Sequence, residues 1–179
     1  MRALLDANVL YPTVMRQVLL GVAERGLFTP LWSDRILKEW ELAAAKHGAE
    51  LGVVAQGEVA LARARFPKAS VPAQAGLERR LWLPDPDDVH VLASAIAGNA
   101  DVLVTQNAKD FPRRELREEG VERSDADSFL MGLYGVDTWA VAEAVESVRR
   151  DAEQLSGEAW PVRRLLKKAR LNRLGKALD

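Results

Sequence analysis

The 179-residue chain contains no cysteine and only two histidines, His47 and His90. The first absence excludes disulfides and thiolate-bound metals. The second excludes a histidine-rich zinc site and leaves both imidazoles with structural or surface roles as the expected ones. Any metal held by this chain must be held by oxygen, which points to magnesium or manganese. No stretch approaches ~18 uninterrupted apolar residues, so no membrane span is expected. The acid at position 6 comes too early for a signal peptide, and together with the lack of cysteine this suits a cytoplasmic protein. There is no glycine-rich phosphate loop, no Ser–His pairing and no cysteine nucleophile.

What is present is ordinary for a soluble globular chain, with 48% apolar and 28% charged residues. The length suits one domain, or one domain with an appendage. The net charge of −1 conceals a division. Residues 161–179 carry +6, from Arg163, Arg164, Lys167, Lys168, Arg170, Arg173 and Lys176 against Asp179. The remaining 160 residues carry about −7. An acidic body with a basic tail bears on partners. The tail has three readings: phosphate contacts with a nucleic acid through Arg163, Arg164, Lys167, Lys168 and Arg170, a solvated helix face, or a surface for an acidic protein partner.

The pivotal stretch is Ala3-Leu4-Leu5-Asp6-Ala7-Asn8-Val9-Leu10. A short apolar run of this kind reads as a strand buried on both faces of a parallel sheet. Asp6 then sits at or near its C-terminal end, where open α/β sheets form their binding crevices. A carboxylate there is costly unless it is hydrogen-bonded, paired or bound to a cation. It is either the first member of an acidic metal site or the cap of the following turn.

The spacing predicts helices over Thr13–Arg25, Ser33–Lys46 and Glu50–Phe66, with a short strand over Phe28–Trp32. Glu39 falls on the apolar stripe of the second helix, three residues after Ile36 and four before Ala43. Arg35, four residues before it, offers an alternative surface pairing. Asp85-Pro86-Asp87-Asp88 opens a further helix, with Asp85 as N-cap and Pro86 in the first turn, ending at Gly98. Asp88 shares the face of Val91 and Leu92, whereas capping accounts for Asp85 and Asp87. Asp101–Thr105 reads as another buried strand, and Thr105, Asn107 and Asp110 follow as a polar turn. Val121-Glu122 suggests an edge strand. Helices are expected from Asp125, over Asp137–Leu155, and as one basic helix from Pro161 through Leu174.

Four of these stretches together resemble a PIN domain of the VapC-like ribonuclease type found in toxin–antitoxin pairs. They are Leu4-Leu5-Asp6-Ala7-Asn8-Val9-Leu10, Ser33 to Glu39, Asp85 to Ala95, and Val102 to Pro112. The resemblance implies a three-layer α/β/α fold with a central parallel sheet over residues 1–136, followed by an α-helical extension over 137–179. Position by position, Asp6, Glu39, Asp88 and Asp110 match the family's metal-binding catalytic acids, and Asn8, Thr105 and Asn107 its supporting polar residues. Asn107 occupies a slot that is Asp in some relatives. The resemblance further implies one or two Mg2+ (or Mn2+) ions, an RNA substrate, a VapB-like antitoxin and a homodimer.

Four converging carboxylates repel one another and raise one another's pKa values, which a divalent cation relieves. The expected chemistry is therefore metal-dependent hydrolysis of RNA phosphodiesters. Two rivals stand beside it. A haloacid dehalogenase-like phosphatase shares an Asp-x-Asn-like first strand but needs an acid where Asn8 stands. A non-catalytic RNA-binding module would keep the fold with an idle site.

Overall fold

The computed structural model describes all 179 residues. Strand β1 (Arg2–Leu5) has its last three residues wholly buried. Helices α1 (Ala7–Leu10) and α2 (Thr13–Glu24) follow, then β2 (Thr29–Leu31), α3 (Asp34–Ala45), α4 (Ala49–Arg65) and α5 (Ala75–Arg80). A single 3-10 turn over Pro86–Asp88 leads into α6 (Val89–Ala97). Strand β3 (Val102–Val104), α7 (Arg113–Glu118) and β4 (Glu122–Ser124) come next. Helices α8 (Ala126–Val136), α9 (Thr138–Ser156), α10 (Val162–Lys168) and α11 (Asn172–Ala177) complete the chain. No helix is long and apolar enough to cross a membrane.

The sheet has the order β2-β1-β3-β4, and every pairing is parallel. The α/β/α class with a central parallel sheet and a helical C-terminal part is thus the one observed. Leu5 stands opposite Val104, and Val104 opposite Ser124, so neighbouring strands finish level with one another. The chain runs outward from β1 to β2, then returns to the other side of β1 at β3. That reversal opens a crevice beyond the C-terminal ends of β1 and β3, the usual ligand position in an open α/β sheet.

Several expected boundaries shift. The first strand stops at Leu5, because Asp6 is extended and its side chain accepts from the Ala7 N–H, starting α1. The expected helix from Asp85 to Gly98 is a 3-10 turn followed by α6. The single basic helix is two short ones, separated where Arg170 adopts a left-handed φ of 60°. The six-residue helices α5 and α7 were not foreseen.

The chain divides into two compact units, one of residues 1–11 with 29–124 and the other of residues 12–28 with 125–179. A division at residue 136 does not coincide with these units, because α8 and the early helix α2 both group with the C-terminal helices. The first unit contains the sheet, the α3–α4 pair, and α6 resting on β1 and β3. In the second, α2 packs along α9, and α9 along α8. Apolar residues at helical spacing drive this: Val141, Ala144, Val145 and Val148 are all buried.

One carboxylate organises the end of the second unit. Asp127 on α8 is buried and accepts from the backbone N–H groups of Arg173 (2.8 Å) and Leu174 (3.0 Å), capping α11 from outside the helix. Charge-assisted bonds of this kind to otherwise orphaned N–H groups are among the stronger ones. Asp127→Ala is expected to cost about 2 kcal/mol in urea unfolding, with Asp127→Asn in between. Equal midpoints for all three proteins would show that the cap does not stabilise the fold.

Candidate metal centre

The sheet ends bring Asp6, Asn8 and Thr105 into one hydrogen-bonded set. Pairing of β1 with β3 is extended by the Asp6 N–H donating to Val104 O (3.1 Å). The Asp6 carboxylate, 5% exposed, then takes three donors. Oδ1 accepts from the Ala7 N–H (2.7 Å), and Oδ2 from Asn8 Nδ2 (2.8 Å) and Thr105 Oγ1 (2.7 Å). Both readings of Asp6 are therefore compatible: it caps α1 and faces the crevice. Burial holds its carboxyl above the usual range, a rise that the Thr105 and Ala7 bonds oppose and the Glu39 charge reinforces.

Asn8 Nδ2 also donates to Thr105 Oγ1 (3.0 Å), while its Oδ1 accepts from the Gln106 N–H (2.9 Å). Beyond β3 the chain folds into a turn in which the Asn107 N–H donates to Thr105 Oγ1 (3.0 Å) and the Asp110 N–H to Asn107 Oδ1 (3.3 Å). The Asn107 amide lies between two acids, donating to Asp88 Oδ2 (3.2 Å) and Asp110 Oδ2 (3.0 Å). The expected supporting residues are thus brought together, with Asn107 bridging Asp88 and Asp110.

The tightest carboxylate group is Asp85, Asp88 and Asp110, whose oxygens lie within 4.8 Å of one another. Asp6 and Glu39 stand outside that trio, but their charges are felt at Asp88. Burial, and then the carboxylates of Asp6, Asp85, Asp110 and Glu39, push the Asp88 carboxyl up to about 6. Asp85 had been assigned to capping alone, and it does accept from the Asp87 N–H (2.9 Å). Its second placement follows from the 3-10 turn, which has three residues per turn and so eclipses side chains i and i+3. The three-residue spacing from Asp85 to Asp88 was the signal available in the sequence.

Glu39 is held at the edge of the group. His90 is 4% exposed and brings Nε2 within 2.8 Å of Glu39 Oε1, and Arg35 Nε lies 3.5 Å from the same oxygen. The His90 approach is close but not aligned as a hydrogen bond, so neither ring nitrogen has such a partner. His90 is therefore a buried residue facing the acid group rather than a surface one. The expected tail residues lie in the second unit, away from this set in the chain. There Arg163 pairs with Asp179 (2.9 Å), while Arg164 and Lys168 lie over the Trp160 ring.

The donor set fits a hard divalent cation. It is all oxygen, it contains three close carboxylates, and Asp88 binds its proton tightly because it is partly buried and negative charge has accumulated around it. For a metal-free protein this has a definite sign. Between pH 3.8 and about 6 the unfolded chain releases the Asp88 proton while the folded chain keeps it, so stability falls as pH rises through that window and levels off above it. Asp88→Asn is expected to flatten this dependence. With solvent screening of a partly exposed group, the gain at pH 7.5 is about 1 kcal/mol, or a Tm higher by about 2–4 °C. Calorimetric melts across pH in EDTA check this, and an unchanged pH profile in the variant would remove the electrostatic reading.

Comparison with known proteins yields one family assignment. A family model described as the PIN domain matches residues 2–109. No curated protein and no solved structure matches the chain.

Proposed function

The chain belongs to the PIN-domain family, whose members are generally nucleases, and we propose that it is a metal-dependent endoribonuclease that hydrolyses RNA phosphodiester bonds. The observation that carries this reading is the trio of Asp85, Asp88 and Asp110 oxygens within 4.8 Å of one another at the sheet's point of reversal. Asp6, Glu39, Asp88 and Asp110 are the proposed catalytic acids, with Asp85 added to them.

In this reading Asp88, Asp110 and Asp85 hold the cation. Asp6, already bound by three donors, contributes chiefly a fixed negative charge and one remaining lone pair. Asn107 tethers Asp88 and Asp110 to one amide nitrogen. Glu39, 37% exposed and contacted by His90 and Arg35, would be the carboxylate that accepts a proton from an attacking water. A bound divalent cation activates water and offsets the charge that develops on the phosphate. Magnesium or manganese suits the oxygen ligands.

RNA is proposed over DNA on the VapC-like pattern of the four sequence stretches. The same pattern makes the protein the toxin of a toxin–antitoxin pair, cytoplasmic, dimeric and neutralised by a VapB-like antitoxin. The phosphatase reading draws no support from the site, because Asn8 is used on both sides of its amide and offers no acidic proton.

Purified protein with Mn2+ or Mg2+ is expected to cut single-stranded RNA and to lose the activity in EDTA. Asp6→Asn and Asp88→Asn should each lower kcat/KM by about 100-fold or more. Mn2+ binding measured by calorimetry should weaken in Asp88→Asn and Asp85→Asn. Absence of cleavage on any RNA tested, or full cleavage by Asp88→Asn, would end the proposal; DNA cut in preference to RNA would correct its substrate.

A further inference from the structure

The second unit contains a cavity of about 540 Å3 that the nuclease reading does not use. Its walls come from the start of α2, the end of α9 and α10, and include Val14, Met15, Leu155, Trp160 and Leu165 with Lys168. The volume falls within the range of real binding clefts. Leu155 stands at this groove with 86% of its surface exposed and extends the apolar lining to solvent.

Cations flank the groove. Several surface arginines are engaged by carboxylates, among them Arg80 by Glu119, Arg114 by Glu118, Arg117 by Glu122, Arg149 and Arg150 by Glu146, and Arg163 by Asp179. Arg164 and Lys168 instead lie over the Trp160 ring, 5.1 and 4.9 Å from its centroid. Neither forms an ion pair with an acid of this chain. Folding has thus placed an apolar trough beside cations that lack anionic partners.

We propose that this groove docks an amphipathic helix of an acidic partner protein. Apolar side chains spaced i, i+3/i+4 and i+7 would enter the trough, and flanking Asp or Glu would meet Arg164 and Lys168. RNA is the poorer fit. Phosphates would use the cations but leave Leu155 and the half-buried Val14 in water, and the indole that a base would stack on already carries two cations. The inference involves none of the acids at the sheet ends, so it stands or falls separately from the nuclease reading.

The test is a display library of helical peptides about 16 residues long, roughly four turns, panned against the full chain. A Leu155→Glu/Arg164→Glu/Lys168→Glu variant serves as the counter-target. These side chains are exposed, so circular dichroism and melting should match the wild type. Selected peptides are expected to carry apolar residues at i, i+4 and i+7 with acids between them. They should bind Leu155→Glu and Lys168→Glu each about tenfold or more weakly, and Asp88→Asn as tightly as the wild type. Failure to enrich peptides over the counter-target overturns the proposal, as does enrichment of peptides without acids. A single-stranded RNA that binds the wild type about tenfold better than the triple variant, with no peptide selected, reassigns these cations to phosphate.

Discussion

The Thr105 hydroxyl joins two strand ends that are 99 residues apart in sequence, and the arrangement of the site depends on it. Its one proton goes to Asp6 Oδ2, and its two lone pairs accept from Asn8 Nδ2 and the Asn107 N–H. That is the full capacity of a hydroxyl. Parallel pairing of β1 with β3 brings the two ends level, and the saturated hydroxyl then locks the Asp6 carboxylate to the turn that carries Asn107 and Asp110. In a buried polar network a complete set of partners rigidifies the group, whereas a missing one is costly. The site is consequently positioned by strands and their immediate ends rather than by a long loop.

Rigidity of this kind works against the charges it assembles. Burial and four neighbouring carboxylates raise the proton affinity of Asp88, and burial does the same for Asp6. The chain answers with neutral donors at the centre, from Asn8, Thr105 and Asn107, and with a guanidinium only at the rim, Arg35 beside Glu39. Neutral donors orient carboxylates without cancelling their charge. An arginine inserted among Asp85, Asp88 and Asp110 would have cancelled it and closed the space. The arrangement therefore preserves an excess of negative charge that a hard cation can relieve.

The parts legible in the sequence were those with strong local chemistry. Leu4-Leu5 and Val102-Leu103-Val104 announced buried parallel strands, Ser33 announced its helix by capping Ile36, and Gly157 stops α9 in a left-handed conformation. At Asp6 the cap is observed through Oδ1, while Oδ2 joins the Asn8 and Thr105 set and leaves the metal-site reading open. Other features had no such signal. Helices of six residues, such as α5 and α7, are too short to display a period. Nothing in Ala169-Arg170-Leu171 favours a break, because Arg is a good helix former; yet Arg170 takes a left-handed φ between α10 and α11, which pack on one another. Asp85 was hidden by reading an α-helical period of 3.6 where the local period is three.

Asn8 shows why the site's identity rests on its connections and not on the Asp-x-Asn pattern alone. A phosphatase that forms an aspartyl-phosphate needs its first carboxylate open to attack and a proton donor two residues on. Here Asp6 is buried behind three donors, and the Asn8 amide is fully oriented, with Nδ2 shared by Asp6 and Thr105 and Oδ1 taking the Gln106 N–H. An aspartate at that position would replace the donor facing Asp6 with a second negative charge, and it would leave Thr105 without one of its partners. The amide is thus required by the geometry around it. It ties the end of β1 to the end of β3 and holds Asp6 in place, with no acidic proton at position 8 to serve a phosphoryl transfer.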